Sequence, residues 1–245
     1  MNTLKTVCLI CVLVTACALA QSAGAVGSLQ GGLTDTQGRP LAGAELRYQR
    51  VVAMVGTGGS LAPAPGETFA QGATSTGPDG TFALANLPAG DYLLCADVPS
   101  MPYLDPCTWQ QPVRVTISAG KTSTQTLGLT LGVFLKVRVN DPAGLLPQTT
   151  DGLWTPRKLL VGVSYATGAY QGAPNTSVDA AGRDYQLIIP TNVPFQLWLF
   201  SRDVAIVDAG GNAVDVSGSQ IPFQATPGQD QAFTFTISGL TSAPK

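Results

Sequence analysis

Residues 77–94 of this chain read GPDGTFALANLPAGDYLL, and no other stretch restricts the fold as tightly. Pro78 presets φ for a turn, Asp79 offers an acceptor to its own backbone, and Gly80 tolerates the positive φ such a turn demands. Beyond the turn Phe82 and Leu84 alternate with small residues, the period of a strand with one face buried. Leu87-Pro88-Ala89-Gly90 then breaks the chain, and Tyr92 and Leu94 open a second alternating strand. The unit predicts two strands whose apolar side chains meet one core.

The same period recurs along the first half. Leu29, Gly31 and Leu33 alternate before the turn-rich segment 35–40, and Leu46 and Tyr48 lead into an apolar run over 51–54, read as one second strand. A weak strand covers 70–76. Val113, Val115 and Ile117 follow, then an Ala119-Gly120 turn and Leu127, Leu129 and Leu131. Residues 56–66 have no periodicity and read as a surface loop or a cover over one sheet edge. With 28 Gly and 18 Pro, long helices are not expected beyond the N-terminus. The 44% hydrophobic content supplies a core, so general disorder is excluded although only 11% of residues are charged.

The second half repeats the first. Leu135, Val137 and Val139 run into Asp141-Pro142-Ala143-Gly144 as residues 29–33 run into 35–38. Gly80 and Pro88 recur 102 positions later as Gly182 and Pro190, while Val113, Val115 and Gly120 recur 108 positions later as Ile221, Phe223 and Gly228. Leu127 and Leu129 likewise match Phe235 and Ile237. Landmarks at nearly one offset indicate tandem copies of one fold. The division is a signal segment over 1–25, a first module over 26–131 and a diverged second module over 132–245, with too few residues between the modules for a flexible linker. The fold class is all-β, two tandem Greek-key β-sandwiches of the Ig-like or transthyretin-like kind.

Residues 29–131 resemble the carboxypeptidase regulatory-like family. The elements that match are the alternating strand ending at 35–38, Pro40-Leu41-Ala42-Gly43-Ala44, the Asp79-Gly80-x-Phe82 turn, Leu87-Pro88-x-Gly90-x-Tyr92, and the run over 113–120 with its final strand. The resemblance implies a seven-stranded transthyretin-like sandwich, a fold shared with certain starch-binding domains. It carries no catalytic residues with it, because the peptidase activity of the family's namesakes lies in a separate domain.

Residues 1–25 combine Lys5, an apolar run from Val7 to Val14 and small residues after it, an export signal whose run is too short to span a bilayer. Ala18-Leu19-Ala20 and Ala23-Gly24-Ala25 each offer a cleavage site. Val14-Thr15-Ala16-Cys17 resembles a bacterial lipobox instead, in which Cys17 is lipidated and anchors the chain. Cys8 and Cys11 are small apolar members of the run. Cys95 and Cys107 are then the cysteines of the mature body, and in an exported protein they are expected to form a disulfide.

Composition removes several functions. No histidine is present, which excludes Ser-His-Asp and Cys-His nucleophile systems and His-ligated metal sites. A net charge of −2, with Arg47 and Arg50 the nearest approach to a basic cluster, gives no footprint for nucleic acid. No catalytic, cofactor-binding or metal-ligating residue is assigned, and no cofactor is expected. The acidic residues Asp35, Asp79, Asp141 and Asp179 sit in turns, where they bond backbone. The Asp208, Asn212 and Asp215 cluster reads as a solvated hairpin turn rather than a calcium loop. Lys136 raises an internal Lys–Asn isopeptide bond, set aside because the second module has no glutamate to promote it.

Two features point to binding. The loop over 96–108 carries Met101, Tyr103 and Leu104, with Trp109 just beyond. It either folds over one end of its sandwich or forms a cross-linked platform for a sugar ring or protein partner. Phe195, Leu197 and Leu199 alternate with Gln196, Trp198 and Phe200, so one of the two sets lies on an outer face, covered by residues 154–160, by the neighbouring module or by a partner. The expectation is a non-enzymatic exported envelope protein with protein or glycan partners, touching membrane only through an anchor at Cys17. The alternative is a carboxylate-dependent carbohydrate-active enzyme or an accessory carbohydrate-binding module.

Overall fold

The computed structural model describes residues 25–57, 60–147, 157–165 and 170–241. In the first half the strands are β1 (Val26–Asp35), β2 (Glu45–Arg50), β3 (Met54–Thr57), β4 (Ser60–Pro63), β5 (Gln71–Ser75), β6 (Thr81–Pro88), β7 (Gly90–Asp97), β8 (Val113–Ile117) and β9 (Thr122–Leu129), with a one-turn helix α1 (Pro106–Trp109) between β7 and β8. Sheets of order β6-β1-β9 and β5-β2-β7-β8 face each other across one core, and β3 and β4 pair separately as a hairpin. The two sheets together hold seven strands.

The second half comprises β10 (Val133–Asn140), β11 (Leu160–Tyr165), β12 (Tyr170–Gly172), β13 (Asn175–Asp179), β14 (Gly182–Ile189), β15 (Pro194–Phe200), β16 (Val204–Asp208), β17 (Ala213–Val214), β18 (Ser217–Gln224) and β19 (Gln231–Leu240). Its sheets run β13-β14-β10-β19-β16-β17 and β12-β11-β15-β18. Strip β13, β16 and β17 from the edges and the order is that of the first half. β14-β10-β19 repeats β6-β1-β9, and β12-β11-β15-β18 repeats β5-β2-β7-β8. The repeat read from spaced landmarks is therefore a repeat of sheet topology.

Alternation places the cores. Leu29, Leu33, Leu46, Tyr92, Leu94 and Leu127 are buried in the first, and Leu135, Val139, Val163, Phe195, Leu197 and Phe235 in the second. Each core draws its fully buried side chains from one half of the chain, and Trp109 of the first half packs against the second core. The turns repeat as well. Asp35 accepts from the backbone of Gln37 and Arg39, and Asp141 accepts from Leu145 and Leu146 in the corresponding turn.

In both modules the first and last strands are parallel neighbours, β1 with β9 and β10 with β19. Parallel pairing carries the chain in at one end of a sandwich and out at the other, about 25 Å away at 3.3 Å per residue. No helix among the described residues is long and apolar enough to cross a membrane.

Three local expectations need correction. β2 stops at Arg50, and the segment read as an aperiodic loop contains the β3–β4 hairpin, with Met54 paired to Pro63 and Gly56 to Leu61. The strand after the Pro-Asp-Gly turn runs on through Leu87 and Pro88, because Asn86 takes a positive φ of 58° and the kink returns Leu87 to the core. The chain breaks at Ala89 alone. The residues called on as an export signal or lipid anchor (1–24, with Cys17) and Trp154 lie outside the described residues.

Candidate functional site

The segment joining β7 to β8 carries the cysteine pair and the proposed platform. Cys95 on β7 and Cys107 in α1 are joined as a disulfide, with Cα atoms 5.4 Å apart. Asp105 caps the helix: its Oδ1 accepts from the Cys107 N–H at 2.9 Å, and Pro106 fills the first helical position, where no N–H is needed. Its second oxygen accepts from Arg47 Nη2 at 2.5 Å, and Asp97 lies 3.3 Å from the same nitrogen. Burial pushes the Asp97 carboxyl above its ordinary range; Arg47 opposes the shift, and Glu45 and Asp105 add to it. The Arg47–Asp105 pair and the disulfide thus pin α1 to the sheet. Cys95, Cys107 and Asp105 lie within metal-ligand reach of one another, but sulfurs bonded to each other are not thiolates and cannot ligate as such.

Pinned this way, the segment faces the second module. Tyr103 and Leu104 are each 5% exposed. Tyr103 bridges to Leu131, the Leu104 N–H donates to Thr130 O at 2.9 Å, and the Gly132 N–H donates to Pro102 O at 2.7 Å. The intermodule segment is therefore hydrogen-bonded along its length to the loop. Gly132 allows this approach, because a Cβ there would lie 2.5 Å from Ile189 O and 2.8 Å from the Leu104 side chain. Trp109 crosses over. Its ring centroid lies 5.9 Å from those of both Tyr165 and Phe195, edge-on to the latter, at the end of the second core. Beside it a cleft of about 270 Å³ separates Asp97, Asp105 and Thr108 from Thr176 and Gln186.

Of the four platform residues, then, only Met101 is exposed, at 46%. The aromatic faces are used inside the molecule, as the loop-packing reading expects. Sequence alone does not reveal Tyr165, Phe195 and Gly132 as partners of this loop, since nothing local marks a residue 30 to 86 positions away as a neighbour.

The remaining candidates are quickly placed. Phe195, Leu197 and Leu199 are the core set, so Gln196, Trp198 and Phe200 occupy the outer face of the second module's four-stranded sheet. There Trp198 donates Nε1–H to Ser164 Oγ at 2.6 Å, and the ring of Tyr170 packs edge-on against it at 6.4 Å, lying across Gly162. Tyr170 remains 50% exposed, and Gln220 is the cross-strand neighbour of Trp198. Asp208 accepts from the backbone of Gly210 and Asn212 and from the Asn212 amide, which holds its carboxyl below the ordinary range; this is a self-satisfied turn. Lys136 Nζ pairs with Asp230 at 2.7 Å, the side chains 52% and 42% exposed, and the bond from Lys136 lowers the Asp230 pKa. The side chain that Lys136 meets is therefore a half-exposed aspartate, not the asparagine that a Lys–Asn bond would join.

No family model matches the chain, and no curated protein does. Solved structures similar to it include the Bacillus anthracis TIE protein (12% identity, 87% of this chain and 34% of that one, TM-score 0.32). The streptococcal ancillary pilin is another (12% identity, 87% and 62%, TM-score 0.38). A third is the shaft pilin SpaA of Lactobacillus rhamnosus GG (11% identity, 89% and 100%, TM-score 0.29). The chain spans about a third of the first and under two thirds of the second. Likeness of this degree assigns neither a family nor a partner.

Proposed function

We propose that this chain is a non-enzymatic, exported module of a bacterial cell envelope, a spacer that holds its two ends apart and binds protein or glycan. The observation that carries the reading is the path of the chain. Parallel first and last strands send it in at one end of each sandwich and out at the other, and Trp109 with the bonded segment 130–132 closes the joint between them. A joint built this way transmits load rather than opening a site. The acidic residues proposed as turn formers fit the same reading: Asp35, Asp79, Asp141 and Asp179 each accept backbone N–H bonds in turns. The carboxypeptidase regulatory-like assignment is part of this proposal, supported by the strand order and by the turn residues it rests on.

A second reading has its own observation. Trp198 and the half-exposed Tyr170, flanked by Gln196 and Gln220, combine aromatic faces with amide groups and no charge, which is the chemistry of sugar recognition by an accessory binding module. Pull-down from envelope extract alongside a broad glycan array separates the two. A captured envelope protein, retained by Trp198→Ala, supports the first reading. Glycan binding that Trp198→Ala abolishes supports the second, and hydrolysis of any envelope glycan by the purified chain overturns the non-enzymatic assignment.

A further inference from the structure

Resting on the reading of Cys17 as a lipid anchor, we propose that the β3–β4 hairpin is a lipid-contacting element, lying in the headgroup and upper acyl region of the membrane that the anchor would enter. The sixteen residues between Arg50 and Glu67 include no charged side chain, and Thr57 and Ser60 are their only hydroxyls. Among the described residues β3 and β4 pair with each other and with no other strand. Leu61 is 73% exposed, Val55 50% and Met54 46%.

The pleat divides these side chains between two faces. Met54 lies opposite Pro63, and Gly56 opposite Leu61, on one side; Val55 lies opposite Ala62 on the other. A docked protein covers one face of a hairpin. An apolar medium surrounds both, and a ribbon with apolar side chains on both faces suits the second. Depth is limited by the backbone, since the outer edges of a two-stranded ribbon carry unpaired N–H and C=O groups that the hydrocarbon centre does not tolerate. The hairpin therefore belongs at the boundary, as interfacial segments do. With no Lys or Arg in it, its attraction is apolar rather than electrostatic.

Position supplies the occupant. Arg50 donates to Glu67, to Thr68 O and to Ala89 O, at 2.8, 2.7 and 3.1 Å. The Ala89 N–H in turn donates to Ala25 O at 2.8 Å. The base of the hairpin and the point where the chain enters β1 are thus tied to one turn. The apolar run from Val7 to Val14 precedes that point, while the parallel β1–β9 pairing puts the second module at the opposite end. Whatever holds the N-terminal segment in a membrane brings the hairpin to the same surface.

The test places tryptophan on each face in the full chain, reconstituted in phosphatidylcholine vesicles whose acyl chains are brominated near the headgroup. The signal of the three native tryptophans is subtracted using wild type. Leu61→Trp and Val55→Trp are expected to show blue-shifted emission and quenching by the brominated lipid, and Val178→Trp on the second module neither. Met54→Trp repeats the first face should Leu61→Trp disturb the hairpin. Quenching at neither position overturns the proposal. Quenching at one face alone overturns the immersion of both faces. A blue shift without vesicles that grows with protein concentration overturns it in favour of a second copy of this chain.

Discussion

Gly38 and Gly80 share a backbone conformation, with φ of 79° and 74°, yet their surroundings differ. A Cβ at Gly38 meets nothing within 4 Å, whereas one at Gly80 lies 2.8 Å from Leu33 O and from Pro40 Cβ. Gly38→Ala is expected to cost about 1 kcal/mol, the strain of a left-handed L-residue. Gly80→Ala adds displacement of backbone and should cost about 2–4 kcal/mol. Urea denaturation of the two variants checks this; equal losses would mean that crowding contributes nothing. The need for positive φ at Gly80 was legible in Pro78-Asp79-Gly80, because turn chemistry is local. The crowding was not, since Leu33 and Pro40 arrive there from another strand and another turn.

Among the elements, β10, β13 and β14 are tied by one side chain. Arg138 on β10 reaches Asp184 on β14 at 3.1 Å and Asp179 at the end of β13 at 2.8 Å. The hydrogen bond from Arg138, helped by the Ala181 N–H, lowers the Asp179 pKa from 3.8 to about 2. A carboxylate whose folded pKa is depressed stabilises the fold above its unfolded pKa, and that contribution fades as pH falls from about 4 through about 2. Arg138→Gln is expected to raise the Asp179 titration toward its ordinary value and to flatten the acid limb of stability. Carboxyl chemical shifts and denaturation followed between pH 5 and pH 2 read both effects. Alternation located β10 and β14 in the sequence because half of each is buried. It passed over the β3–β4 hairpin, whose apolar residues face no core and so carry no two-residue signal.

At the scale of the whole molecule, Trp109 is expected to couple the unfolding of the two sandwiches. It belongs to the first module in sequence and packs at the end of the second core, between Tyr165 and Phe195. Trp109→Ala removes a half-buried ring and is expected to cost about 2–3 kcal/mol, below the range for a fully buried aromatic. It should also split a single calorimetric transition into two, as coupling across the joint falls. A variant that melts as wild type does would leave the joint to the bonded segment 130–132 alone. The Cys95–Cys107 bond, closing a loop of twelve residues, contributes roughly 2–3 kcal/mol in the chain-entropy model and keeps Trp109 presented for this contact.

The sequence by itself determined the all-β class, the tandem repeat, the turns at Asp35, Gly80 and Asp141, and the cysteine pair. Each follows from residues close together or from a repeated spacing, and strand period and turn conformation are local properties of the backbone. Tertiary structure decided which way the loop over 96–108 faces, which partners receive Trp109, and that Tyr103 and Leu104 are buried rather than presented. It also set the β3–β4 hairpin beside the chain's entry point. Those outcomes depend on contacts between residues far apart in the chain. An aromatic side chain on a proline-rich loop gains the same burial from its own sandwich, its neighbour or a partner, so only the assembled fold chooses among them.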